Sequence, residues 1–216
     1  MEGIYFLSFF WILWITATFF MKKTRQRTML AGAALIAIIL SSVSLHIGSF
    51  RVTLSFLFLF FLSCYFVAKQ TGRKLLYMVI AALTIAFAYA SFQLLALFDP
   101  VWIWMDRTWM LAIVLVVICL LFYENIQSRL LCLVIGGCQG ETLYSIISKK
   151  VSFPYVIGAF SFLDTVSVSA FCLLIWTLFE QIAVHVDRRR MNKNWREGRR
   201  FLYVKQKKKW KRSPPI

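Results

Sequence analysis

Long apolar runs alternate with short polar connections along most of this chain. A bilayer crossing needs about 20 predominantly apolar residues, and seven runs approach or reach that length. They cover residues 3–21, 29–47, 52–68, 75–98, 104–123, 130–147 and 155–180. The pattern predicts an all-α fold, a polytopic helical bundle of seven transmembrane helices in residues 1–183, followed by a basic cytoplasmic tail in residues 184–216.

The start of the fifth run is left open. Trp102, Trp104 and Trp109 resemble an interfacial aromatic belt, and Asp106 and Arg107 mark the water boundary. The continuous apolar stretch begins only at Met110, so this span must either thin the bilayer or include the tryptophan-rich turns before it.

The distribution of positive charge predicts the orientation of these spans. With the N-terminus outside, 21 of the 25 lysine and arginine residues fall on the cytoplasmic side. Short cytoplasmic loops carry an excess of such residues. The count predicts an N-out/C-in, multi-pass membrane protein.

Composition agrees with a membrane protein and offers little for chemistry. Hydrophobic residues make up 60% of the chain and the mean hydropathy is +0.72, whereas soluble domains are about 45–50% apolar. All five cysteines lie inside apolar runs, no CxxC is present, and there are two histidines. We therefore expect no metal and no cofactor. GxSxG and HExxH are also absent, so we expect no enzymatic activity.

Two acidic residues lie well inside apolar runs, Glu141 in the sixth and Asp164 in the seventh. At 1.5 Å per residue they lie about 10 and 15 Å below the loop that joins the two helices. Gln93 and His46 fall on the same side of the membrane, so these four residues are predicted to form an outer polar cluster. Such a cluster is either a structural lock, with the acids protonated or hydrogen-bonded, or a site for a proton or small cation.

Small residues surround both acids. Gly136 and Gly140 form a GxxxG pair and Gly137 lies on the adjacent face, while Gly158 and Ser161 begin a small polar stripe on the seventh run. Small residues allow membrane helices to approach closely. These five positions are predicted to be helix-packing sites.

Cations and aromatic residues alternate in the C-terminal tail. Its proposed lipid-headgroup-binding residues are Arg188, Arg189, Arg190, Lys207, Lys208, Lys209, Trp210, Lys211 and Arg212. Each cation near an anionic leaflet contributes about 1 kcal/mol of attraction. The tail is therefore either a solvated segment that fixes topology or a segment that binds anionic lipid, and we expect no nucleic-acid partner because no base-reading fold is present.

Two functional classes remain open. The first is a non-enzymatic membrane scaffold or assembly factor that binds membrane lipids and a membrane-protein partner or a second copy of itself. The alternative is a small proton- or cation-coupled transporter or channel that uses Glu141 and Asp164. A transporter needs a water-accessible cavity at these acids, whereas a scaffold keeps them packed and dry.

The opening Met1-Glu2-Gly3, the aromatic first span with Trp11, Trp14 and Thr18-Phe19-Phe20, and the overall size resemble the YphA-like family of small multi-spanning membrane proteins from spore-forming bacilli. The resemblance implies a bacterial plasma-membrane protein with a link to sporulation. It implies no functional residues.

Overall fold

The computed structural model describes the backbone of residues 3–47, 50–150 and 155–212, and side chains in this part of the chain as far as Arg188, with Ile47 excepted. The chain forms two compact units, Met1–Leu174 and Ile175–Ile216. The elements in chain order are α1 Ile4–Ile15, a π-helical turn Thr16–Phe20, α2 Arg25–Ser41, β1 Ser44–Ile47, β2 Phe50–Thr53, α3 Leu54–Ala68, α4 Arg73–Phe98, a 3-10 turn Pro100–Trp102, α5 Arg107–Phe122, α6 Ile126–Lys150, β3 Val156–Ile157 and α7 Phe160–Arg212.

Among the residues that the structure describes, three helices are long and apolar enough to cross a membrane by length and composition. They are Arg73–Phe98, Ile126–Lys150 and Phe160–Arg188. Shorter apolar helices occupy Ile4–Phe20, Leu54–Ala68 and Arg107–Phe122. The fold is thus the expected all-α architecture, and three of its helices are clear candidate spans.

The bounds expected for the second, third and seventh spans differ from the helices in the structure: Val52 and Thr53 of the third belong to β2, so its helix begins at Leu54. The second, residues 29–47, ends as a helix at Ser41. The residues after it form β1, which pairs antiparallel with β2, while β2 pairs in parallel with β3. The seventh, residues 155–180, begins as a helix only at Phe160 because Val156 and Ile157 belong to this small sheet.

The sheet brings two distant connections to the same end of the first unit. Strands β1 and β2 link α2 to α3, and β3 precedes α7. Thr53 Oγ1 donates a hydrogen bond to the Gly158 carbonyl at 2.7 Å, which fastens the two connections together. The sheet therefore closes one end of the helices that surround Glu141.

The core of the first unit lies where α4, α6 and the start of α7 meet. Tyr89, Leu133 and Phe162 are fully buried there, and the rings of Tyr89 and Phe162 contact edge to face with centroids 6.1 Å apart. In the second unit, residues 175–212 are helical, and the Trp176 indole donates to Glu180 Oε1 at 2.6 Å.

Candidate functional site

The Glu141 carboxylate is fully buried and accepts three hydrogen bonds. The Tyr89 hydroxyl donates to Oε2 at 2.7 Å, and the Tyr155 hydroxyl donates to Oε1 at 2.8 Å. The backbone N–H of Gly158 also donates to Oε1, at 3.1 Å. A carboxylate offers about four lone-pair sites, so three of them are used by protein groups.

A polar chain continues from Glu141 towards the loop before α5. Gln93 Nε2 donates to the Tyr89 hydroxyl oxygen at 3.0 Å, one helical turn along α4. Arg107 Nη2 approaches the backbone carbonyl of Gln93 at 3.5 Å. Arg107 also interacts electrostatically with Glu141. Arg107, at the first turn of α5, therefore supplies a cation to this polar chain from the end of the bundle.

Close packing of α4 against α6 brings Tyr89 to Glu141. A Cβ added at Gly136 would lie 2.6 Å from Ile85 Cβ, and one at Gly140 would lie 2.7 Å from Tyr89 Cβ. At Gly137 the nearest atoms would be 3.6 Å away, which is ordinary contact. Gly136 and Gly140 thus lie in the close α4–α6 contact, whereas Gly137 faces Phe162 and Val166 of α7 with room for a methyl group.

Gly158 connects the sheet to the carboxylate and has a conformation that favours glycine. Its φ is +72°, in the left-handed region, and an added Cβ would overlap the side chains of Phe56 and Thr53. Residues other than glycine seldom adopt this backbone conformation. The turn aims the Gly158 N–H at Glu141 while its carbonyl accepts from Thr53.

Asp164 has different partners, at the N-terminus of α1. Its Oδ2 accepts from the Gly3 N–H at 2.7 Å and its Oδ1 accepts from the Phe6 N–H at 2.8 Å. Gly3 is the N-cap residue of α1 and has no side chain to make such bonds. A carboxylate from α7 therefore caps a helix that begins 161 residues earlier, and it also complements the positive end of the helix dipole.

The predicted outer cluster is divided between separate positions. Glu141 and Gln93 are joined through Tyr89, whereas Asp164 holds the start of α1. His46 lies exposed in β1. Ser161 lies in the first turn of α7, where its carbonyl accepts from Thr165 Oγ1 and its side chain interacts with the Tyr155 hydroxyl.

Two contributors to the Glu141 site were not predicted from the sequence. Tyr155 is the first residue of the predicted seventh run, and nothing in the sequence distinguishes its hydroxyl from that of an interfacial anchor. Arg107 was assigned to the water boundary. A tyrosine at the end of an apolar run, next to the run that contains a buried acid, is the signal that could have identified Tyr155.

The lipid-binding residues predicted in the tail lie mostly outside the described side chains. Arg188 is described and exposed. The others, residues 189, 190 and 207–212, belong to the backbone of α7, and their side chains lie outside the described part of the chain. The tail is helical as far as Arg212.

Comparison with known proteins gives the same class of molecule. The protein named "Uncharacterized protein YphA" from Bacillus subtilis (strain 168) is 29% identical over 196 residues, which cover 90% of this chain and 96% of that protein. No solved structure matches the chain. The model of a family described as YphA-like integral membrane protein matches residues 2–200. The chain therefore belongs to the YphA-like integral membrane protein family.

Proposed function

We propose that this chain is a seven-span protein of the bacterial plasma membrane that acts as a non-enzymatic scaffold or assembly factor. The observation that carries the proposal is the use of its two intramembrane acids. Glu141 is 0% exposed and Asp164 is 4% exposed, and both accept hydrogen bonds from groups on other parts of the chain. Acids used in this way hold helices together, and both oxygens of each already accept hydrogen bonds from the chain itself.

The arrangement of the connections supports the proposed topology. The start of α1, the β1–β2 connection and the segment before α7 all meet at one end, through the Asp164 cap and the sheet. An N-out chain with seven crossings requires these segments to share the outer side. The positive-inside count points the same way, and helices shorter than the bilayer core are accommodated by local thinning.

Cysteine accessibility tests whether the acids are dry. Cys138 lies one turn before Glu141 and is fully buried. In a chain that retains only this cysteine, a water-soluble maleimide should label the folded protein weakly and the SDS-unfolded protein fully. A chain that retains only Cys64, which is half-buried on α3, is the control that shows how fast the reagent labels a partly accessible cysteine. Fast labelling of Cys138 in the folded protein would refute the scaffold proposal.

A proton site remains the second candidate, and one observation favours it. The chain of polar groups from Glu141 through Tyr89 and Gln93 ends near Arg107. Within the described residues, Gln93 Oε1 and Arg107 Nε are buried without hydrogen-bond partners. Buried polar atoms of this kind can be bridged by ordered water, which would connect Glu141 to the outer loop.

Proteoliposomes distinguish the second candidate from the first. The purified chain is reconstituted with a pH-sensitive dye inside the vesicles, and a proton gradient is imposed. Proton movement that is lost in Glu141→Gln and kept in Asp106→Asn, which changes an exposed acid of the outer loop, would support the proton site. Vesicles that hold their gradient as well as protein-free vesicles support the scaffold.

The proposed partners are anionic lipids, reached through the tail, and a membrane protein or second copy. Thirteen cations after residue 187 at about 1 kcal/mol each give ample attraction to a phosphatidylglycerol surface. The full chain and a version ending at Arg188 should differ in retention of phosphatidylglycerol but not of phosphatidylcholine. A role in sporulation is part of the proposal, and counts of heat-resistant spores in a deletion strain would test it.

A further inference from the structure

A narrow groove runs along the first unit between α1, α5 and α7. Its volume is about 240 Å³, and carbon atoms form nearly all of its surface. The side chains that define it are Tyr5, Ser8 and Ile12 of α1, Trp109 of α5, and Ser167 and Phe171 of α7. Glu141 and Asp164 are not among its lining residues, so this groove is separate from the site described above.

The dimensions of the groove limit what can fill it. Tyr5 and Ile12 are seven residues apart, so the groove extends about 10 Å along α1 at 1.5 Å per residue. The whole empty space between its walls, about 590 Å³ with the open side included, gives a cross-section of about 60 Å² over that length, whereas a helix with its side chains is about 10–12 Å across and occupies about 80–110 Å². A single hydrocarbon chain fits this width and a whole helix does not.

The end of the groove at the N-terminus of α1, which is the outer end in the proposed topology, carries a polar pair. Trp109 Nε1 donates to the Tyr5 hydroxyl oxygen at 3.2 Å, and the two rings contact edge to face with centroids 5.8 Å apart. Because the Tyr5 oxygen accepts this bond, its own hydrogen remains available for a second partner. Tyrosine and tryptophan are enriched at the membrane–water interface, which is the depth of the ester groups of a glycerolipid.

We propose that the groove binds one acyl chain of a glycerolipid, with the ester carbonyl accepting a hydrogen bond from the Tyr5 hydroxyl. Water is a poor occupant because the carbon surface offers it no partners. A chain in the groove contacts protein on three sides and gains dispersion contacts that a lipid on a flat helix face lacks. The protein belongs to an integral membrane family, so diacyl lipids are the molecules that surround this surface.

Photocrosslinking of a defined lipid tests the proposal. The full-length protein is placed in phosphatidylglycerol nanodiscs that contain a phosphatidylglycerol with a diazirine in its acyl chain, and adducts are mapped by mass spectrometry. Residues 5–12 and 167–171 should be labelled about threefold more than the exposed face of α4 at Leu76 and Leu83, because three walls contact the chain there instead of one.

Two variants and an ether-linked probe separate the groove from ordinary lipid contact. Ser8→Leu should fill the groove and reduce labelling to the α4 level, whereas the same change at exposed Ser91 on α4 should leave it unchanged. The unmodified protein should be labelled more by an ester-linked probe than by an ether-linked one, because only the ester has a carbonyl that accepts from the Tyr5 hydroxyl. Tyr5→Phe keeps the ring and should abolish this preference. Equal labelling on all faces, no response to Ser8→Leu, or crosslinked dimers through the groove would each overturn the proposal.

Discussion

Asp164 of α7 accepts a hydrogen bond from the backbone N–H of Gly3 at 2.7 Å, across 161 residues of sequence. The same carboxylate accepts from Phe6, so it satisfies two of the N–H groups that every helix leaves free at its N-terminus. In hydrocarbon such groups have no water to replace a lost partner. The first helix is therefore held at its N-terminal end by a side chain from the last.

Removing this cap should destabilise the protein. Asp164→Ala leaves two backbone donors without acceptors, and we expect a loss of about 3 kcal/mol in the free energy of unfolding, with about half that for Asp164→Asn, which keeps one acceptor. SDS titration followed by circular dichroism measures the change.

The control for this cap is Asp106→Ala. Asp106 caps α5 through a longer bond of 3.4 Å to Thr108 at an exposed position, so its loss should cost less than about 1 kcal/mol. Equal effects at the two aspartates would contradict the special role of Asp164.

The change in the free energy of unfolding should depend strongly on which residue replaces Glu141. Glu141→Gln keeps one carbonyl oxygen for Tyr155 and Gly158, and its amide can donate to Tyr89, so we expect a cost of about 1–2 kcal/mol. Glu141→Leu leaves three buried donors without an acceptor, at a cost above about 4 kcal/mol. Unfolding of the purified variants in detergent gives both values.

Glu124 provides the matched control for Glu141. It is exposed in the connection before α6, so Glu124→Leu should change the free energy of unfolding by less than about 0.5 kcal/mol. A small effect of Glu141→Leu would show that the three hydrogen bonds contribute little to the fold.

The contact between α4 and α6 predicts a position-specific effect of adding one methyl group. In Gly140→Ala the new Cβ would lie 2.7 Å from Tyr89 Cβ and 2.9 Å from the Ala86 carbonyl oxygen. Neither atom is the end of a flexible side chain, so the helices must separate, at a cost of about 1–3 kcal/mol. The separation also lengthens the Tyr89–Glu141 hydrogen bond.

Two further glycines are controls for that substitution. Gly137→Ala meets its neighbours at 3.6 Å and should be nearly neutral, while Gly32→Ala on α2 meets nothing within 4 Å. Replacing a helical glycine in open space should stabilise the chain by up to about 1 kcal/mol. An equal change in stability at all three positions would contradict the packing argument. Unfolding midpoints in detergent decide the matter.

Hydrophobic runs predicted the helices because long apolar runs are separated by short polar connections. The same signal concealed the sheet. Val43, Leu45 and Ile47 alternate with Ser44 and His46, which is the period of a strand, but the segment adjoins an apolar helix and was assigned to it. Alternation over five residues was the available signal.

The hydrogen-bond partners of the two acids could not be predicted from sequence patterns, for a physical reason. Asp164 binds backbone N–H groups, which every residue possesses, so no side chain marks Gly3 as its partner. Glu141 and Gln93 could be placed at similar depth from helix geometry alone. Their connection through Tyr89 depends on the facing of α4 and α6, which the tight contacts at Gly136 and Gly140 determine.

The proposed orientation makes a prediction that labelling of intact cells can check. In a cysteine-free background, Asp99→Cys lies in the connection between α4 and α5 and Thr71→Cys lies in the connection between α3 and α4, and both positions are exposed. These connections are separated by a single helix, so only one of them can face the outside if α4 crosses the membrane. With the N-terminus outside, a membrane-impermeant maleimide should label Asp99→Cys in intact cells and should label Thr71→Cys only after permeabilisation. The reverse pattern would place the N-terminus inside, and labelling of both in intact cells would show that α4 does not span the bilayer.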